Sequence, residues 1–142
     1  MNVLAQLGLL EEGIESLLRL TEGWRLVAWV PLRNQGIELL VADHARERLA
    51  ERFGGQVTLK QVTDIALRGL ELEDRERGLV VKKGRSWLVV DLPSGVEVAI
   101  NLMIHDKTNR PVAVISTVMD HNDVFYHREV LAKYGNKEIY LE

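Results

Sequence analysis

"IELLVADHARERLAERFGG" (residues 37–55) holds the transition on which the fold turns: a nearly unbroken apolar run, then charges spaced at steps of four. Ile37 to Ala42 reads as a short strand, the return leg of a hairpin whose outgoing leg is "EGWRLVAWVPL" (residues 22–32). In that leg Trp24, Leu26, Ala28 and Val30 share a face by alternation, and Pro31, which has no N–H to donate, stops the pairing. "RNQG" (33–36) is the turn between the legs. Asp43 stands where a helix N-cap belongs, His44–Phe53 follows as helix with Ala45, Leu49 and Phe53 as its apolar stripe, and Gly54-Gly55 closes it.

Outward from there, residues 3–20 place Leu4, Leu7, Leu10, Ile14, Leu17 and Leu18 at helical spacing, an amphipathic helix. On the other side Thr58 caps a second helix, "LKQVTDIALRG", closed by Gly69, and "LELEDRER" (70–77) reads as a charged connector. From Gly78 the period changes to two. "GLVVKKG", "SWLVVDLP", "VEVAINLMIHD" and "RPVAVISTVMD" are separated by Lys83-Gly84-Arg85, Pro93-Ser94-Gly95 and Asp106-Lys107-Thr108-Asn109, all turn chemistry. "NDVFYHREVLAKYG" (122–135) reads as a C-terminal helix and "KEIYLE" (137–142) as a short edge strand. The expectation is one α+β domain over residues 1–142: an antiparallel meander sheet of about four strands packed against two helices. A helix plus hairpin is added at the N-terminus and a helix at the C-terminus.

Composition narrows the function classes. With 46% hydrophobic and 27% charged residues, 142 residues suit one globular domain with a real core. No apolar run approaches the length of a membrane span, and the N-terminus lacks a basic leader, so a cytoplasmic protein with no membrane partner is expected. The absence of cysteine removes disulfides and thiolate chemistry. The net charge of −3 attracts no nucleic acid as a whole, so RNA would need a local patch. The candidate patch is Arg75 and Arg77 with Lys82, Lys83 and Arg85. His105, His121 and His127 lie among aspartates but lack the spacing of known zinc motifs, and phosphate-binding glycine loops are missing, so neither metal nor cofactor is expected.

The order strand, "DHARERLAERFGG", capped helix ending in Arg68-Gly69, then a meander finishing in "PVAVISTVMD" resembles the small RelE-like toxins of the barnase–colicin–RelE superfamily of metal-independent ribonucleases. More narrowly, it is similar to a prokaryotic domain family of uncharacterised function placed beside them. The matching residues are His44, Arg48, Arg52, Gly69 and the run Ile115 to Val118, and the toxin-like core spans about residues 38–122. The resemblance implies RNA cleavage by general acid/base chemistry, in a phage or mobile-element setting, with RNA or an RNA-containing machine as target and a cognate antitoxin or immunity protein as partner.

Such chemistry needs a base to take the ribose 2′-hydroxyl proton, cations on the phosphate, and an acid for the leaving 5′-oxygen. Histidine titrates near neutrality, and the arginine fork donates two parallel hydrogen bonds to phosphate. His44, Arg48 and Arg52 run along the edge of the apolar stripe of their helix. The expected site sets them across a cleft from Thr117 and His121, with His44 and His121 as acid and base, Arg48 and Arg52 as phosphate clamp, and Thr117 orienting the ribose or phosphate. The plain alternative is that "RERLAER" is a solvated face with internal ion pairs and Thr117 simply a good strand former. A second functional expectation is a non-enzymatic effector on the same scaffold. It would bind and inhibit a host machine such as RNA polymerase or a nuclease through exposed aromatics. Trp24 and Trp29 differ by an odd step and so face opposite sides of a regular strand; one would be covered and the other free to anchor a partner.

Overall fold

The computed structural model describes residues 23–33, 35–80, 85–105, 108–123 and 137–142. The expected N-terminal helix, the body of the C-terminal helix, and Lys82 and Lys83 lie outside them. Six strands form one sheet: β1 (Trp24–Pro31), β2 (Gly36–Ala42), β3 (Arg85–Asp91), β4 (Val96–Ile104), β5 (Pro111–Asp120) and β6 (Lys137–Leu141). Two helices, α1 (Asp43–Phe53) and α2 (Leu59–Arg77), lie between β2 and β3 in the chain.

The strand order is β1-β2-β5-β4-β3-β6. β1–β2, β5–β4 and β4–β3 are antiparallel, while β2–β5 and β3–β6 are parallel. This corrects the expected four-stranded antiparallel meander. Only β3, β4 and β5 run as a meander, and Gly78–Val80 is not a strand. The hairpin is no appendage but part of the sheet, because β2 pairs with β5 from Glu38↔Val112 to Val41↔Ile115. The physical reason lies in "IELLVA", whose five residues Ile37–Val41 are all buried. A strand buried on both faces wants a neighbour on each side, and a continuous apolar run is the mark of such a strand.

One face of the sheet carries both helices. Ala45 and Leu49 of α1, and Val62, Ile65, Ala66 and Leu70 of α2, pack on Leu39, Val41, Val89, Val98, Ile100 and Ile115. The opposite face buries two smaller clusters, Leu40 with Val112 and Val114, and Leu88 with Ala99 and Met119. Among the described residues no helix lies on that second face. Trp24, at the start of β1, and His105, just past the end of β4, meet ring to ring, edge to face, with centroids 6.0 Å apart.

The helix ends follow local chemistry, with two corrections. Thr58 and Gln61 make a complete capping box, each side chain answering the other's backbone N–H. Gly54 closes α1 in the left-handed conformation and donates to Ala50 O. Asp43, however, is the first residue of α1 and not its cap; its carboxylate takes Arg46 at 2.6 Å and its N–H reaches Gly23 O. And α2 does not stop at Gly69 but continues through the supposed connector to Arg77. It continues because Leu70 is fully buried and the acidic residues beyond it find partners: Glu73 pairs with Lys137 of β6 and with Arg77 of its own helix, and the Asp74 carboxylate accepts the backbone N–H of Arg33 in the loop after β1.

Candidate functional site

The expected site begins on α1. His44 is exposed at its first turn. Arg48 is bound to Glu51 at 2.8 Å on the outward face, as a solvated helix surface would have it. Arg52 does reach the last long strand, but to its backbone: Nη1 donates to Val118 O at 2.7 Å. That bond fastens the last turn of α1 to β5.

Thr117 and His121 stand on the other side of the sheet. Val118 belongs to the core under the helices, so its neighbour Thr117, paired with Ala99, points to the second face, where it is buried. His121 follows β5 in a turn fixed by its own N–H to Gly95 O. Its Nδ1 lies 3.0 Å from Glu97 Oε1, and Glu97 is a second-face residue paired with Met119. The structure therefore brings Arg52 near β5 and His121 near Glu97, and separates the α1 edge from Thr117 and His121 by the thickness of the sheet.

The second-face group is a constellation that the pattern of helix histidines and arginines missed. Glu97 is entirely buried near the start of β4. The imidazole of His121 is 29% exposed by side chain and packs edge to face against Tyr140, centroids 6.1 Å apart. The Tyr140 hydroxyl donates to Glu138 Oε2 at 2.8 Å. Partial desolvation pushes its phenol up to about 12, helped by that hydrogen bond and by the negative charges of Glu138 and Glu97. Tyr140 is then a proton donor at any physiological pH. A carboxylate on Nδ1 orients the imidazole ring. The signal was present in "VEVAI": a lone glutamate inside an apolar strand.

The remaining candidates divide. Trp24 is half-buried in the second-face cluster around Leu40. Trp29 is 58% exposed, although it lies in the middle of a paired strand. Its indole covers Gly36 so closely that a Cβ there would stand 1.9 Å from Cζ2, so only glycine at 36 lets the ring lie flat. The odd step between the two tryptophans does not set them on opposite faces, because Val27 is an extra residue in β1 that shifts the register. Both pair with residues of the second face, Trp24 with Ala42 and Trp29 with Glu38. Glu38 itself is buried and held by Arg110 at 2.8 Å.

Of the basic residues expected to form a patch, Lys82 and Lys83 lie outside the described residues. Arg77 is tied to Glu73 and Glu76, and the guanidinium of Arg85 sits 5.2 Å over the ring of Trp87 at the start of β3. Arg75 is exposed on α2 and makes no ion pair among the described residues. Among those residues no cluster of His, Asp and Glu has the arrangement of a metal site, and no helix is long and apolar enough to cross a membrane. Comparison with protein-family models, with curated proteins and with solved structures finds no match to this chain.

Proposed function

We propose that this protein acts by docking on a protein partner, as a non-enzymatic effector of a larger host assembly such as RNA polymerase or a nuclease, with Trp29 as the anchor. The observation that carries this reading is the indole of Trp29, held flat on Gly36 and still 58% exposed, while Trp87 is buried and Trp24 is packed into a cluster. A large aromatic held in one orientation loses little entropy on binding, and tryptophan is the residue most enriched at binding hot spots. The acidic balance of the chain also suits a protein partner better than a polyanion. The test compares wild-type protein with Trp29→Ala as bait in a bacterial lysate, then measures the purified captured protein against both. A hot-spot anchor costs about 2 kcal/mol or more on truncation, at least some thirtyfold in affinity. Equal binding by the two baits removes the proposal.

A second reading is metal-independent RNA cleavage, the activity of the RelE-like toxins that the sequence resembles, with an antitoxin as its natural restraint. The Glu97–His121 pair favours it. His121 would take the 2′-hydroxyl proton as that oxygen attacks phosphorus, the P–O5′ bond breaks and the 5′-oxygen takes a proton from water, while the buried carboxylate stabilises the imidazolium, as in other oriented histidine bases. In this form the site stands on the second face, so His44, Arg48 and Arg52 do not share it. Bulk RNA incubated with the protein in EDTA decides the matter. Cleavage leaving 2′,3′-cyclic phosphate ends, abolished in His121→Ala, supports the second reading; intact RNA dismisses it.

A further inference from the structure

The two edges of the sheet are protected very differently. β1 carries the bulge at Val27, ends in Pro31 and presents the exposed Arg25, all devices that discourage a further strand. β6 has neither a bulge nor a proline, and the ammonium of its exposed Lys137 is turned back onto Glu73 of α2. Its register with β3 is regular from Trp87↔Lys137 to Asp91↔Leu141, and among the described residues no strand pairs with its outer edge.

A groove follows that edge. One cavity of about 380 Å³ lies between Arg68, Glu71 and Arg75 of α2 and residues 140–142. A second, of about 210 Å³, lies between Leu72, Glu73, Glu76 and Arg77 of α2 and residues 137–140. The second touches Lys137, Glu138, Ile139 and Tyr140 in succession. Consecutive strand residues belong to opposite faces, so a cavity that meets all four opens on the strand's free edge.

We propose that this groove is a self-association surface, in which β6 of one copy pairs antiparallel with β6 of a second about a two-fold axis at Ile139. The pairing keeps side chains on their proper faces: Ile139 and Leu141 stay on the helix side, and Glu138 faces Tyr140 of the partner subunit. An isologous contact needs a self-complementary surface, and the charges on α2 provide it. Glu71 and Arg75 line the groove, are exposed, and form no ion pair among the described residues, not even with each other at their i,i+4 spacing. α2 runs antiparallel to β6, with Arg68 near the end of the strand and Arg77 near its start, so Ile139 stands level with the middle of the stretch from Glu71 to Arg75. The two-fold then carries Arg75 toward Glu71 of the partner subunit, twice over.

Sedimentation velocity on the full chain, from about one to a few hundred micromolar, should show a monomer–dimer equilibrium with a dissociation constant on the order of micromolar. Arg75→Glu should set like charges together at two places and weaken the dimer by about tenfold. The double exchange Glu71→Arg with Arg75→Glu should restore it, which no folding defect can imitate. Trp29→Ala should leave the dimer intact, so this surface and the Trp29 anchor fail or stand separately. A chain that stays monomeric across the range overturns the proposal. So does a dimer indifferent to Arg75→Glu, and so does a double exchange that fails to restore association.

Discussion

Asp74 shows how much one side chain can carry and how little of it is visible in the chain. Its buried carboxylate accepts the backbone N–H groups of Arg33 at 2.8 Å and Leu79 at 3.0 Å, and its carbonyl accepts Arg33 Nη2 at 2.6 Å. Within "LELEDRER" it reads as one charge among many, because its main partner stands 41 positions earlier. Asp74→Ala leaves two N–H groups without their acceptor, and hydrogen bonds to a charged group contribute about 1.5–3 kcal/mol each, so a loss of about 3 kcal/mol is expected by urea denaturation. A loss under about 1 kcal/mol would mean that the latch is water-filled. Tyr140 gives a second test. Its folded-state value of about 12 lies above the ordinary 10, so the folded state holds the proton more tightly. The stabilisation is complete below pH 10 and is lost as pH rises from 10 through 12. Near-ultraviolet titration should show one late tyrosinate with a midpoint near 12 that disappears in Tyr140→Phe. A midpoint near 10 would place Glu138 away from the phenol.

At the scale of elements the pattern of apolar and polar residues fared unevenly, for reasons that are physical. The hairpin β1–β2, the body of α1, the start of α2 and the strands β3 to β5 were legible, because each rests on contacts between near neighbours: alternation, a capping box, a glycine stop. β6 was legible as a short strand, but its partner β3 lies far back in the chain. Gly69 was not legible. Glycine after a run of helix formers reads as a terminator, but here it lies within α2, where a Cβ would stand 2.6 Å and 2.7 Å from the two methyl carbons of Val89 on β3. It is glycine so that helix and sheet can close. Gly69→Ala gains about 1 kcal/mol of helix propensity and incurs an overpacking cost of about 1–3 kcal/mol, so net destabilisation of up to about 2 kcal/mol is expected from thermal melts. Val89→Ala in the same background should recover part of the loss. A stabilised Gly69→Ala would show that α2 rides higher on the sheet than described. The candidate site was half legible for a similar reason. His121 could be singled out as a residue type, but which face it serves is set by Glu97 on a different strand.

The arrangement of the whole molecule depends on two parallel seams, β2–β5 and β3–β6, which join segments far apart in the chain. No local signal announces such a seam, which is why a simple meander was the natural expectation and the mixed sheet its correction. β6 holds its place through Ile139 and Leu141 in the core and the Lys137–Glu73 pair. Removing residues 137–142 forgoes two buried aliphatic side chains at about 1.5–3 kcal/mol each and opens the apolar β3 as an edge. A lower melting temperature and light-scattering aggregates are expected; a monodisperse, equally stable truncation would make β6 dispensable. The β2–β5 seam bears on how the protein is made. A chain emerging from the ribosome releases β1 and β2 early, yet Leu40 must wait for Val114 before its other side is shielded. Until then the nascent hairpin offers an open, greasy flank to anything nearby. Biogenesis should therefore be the vulnerable moment of this protein's life: refolding in the slow range of non-local topologies, and a soluble yield that responds to chaperone supply during translation.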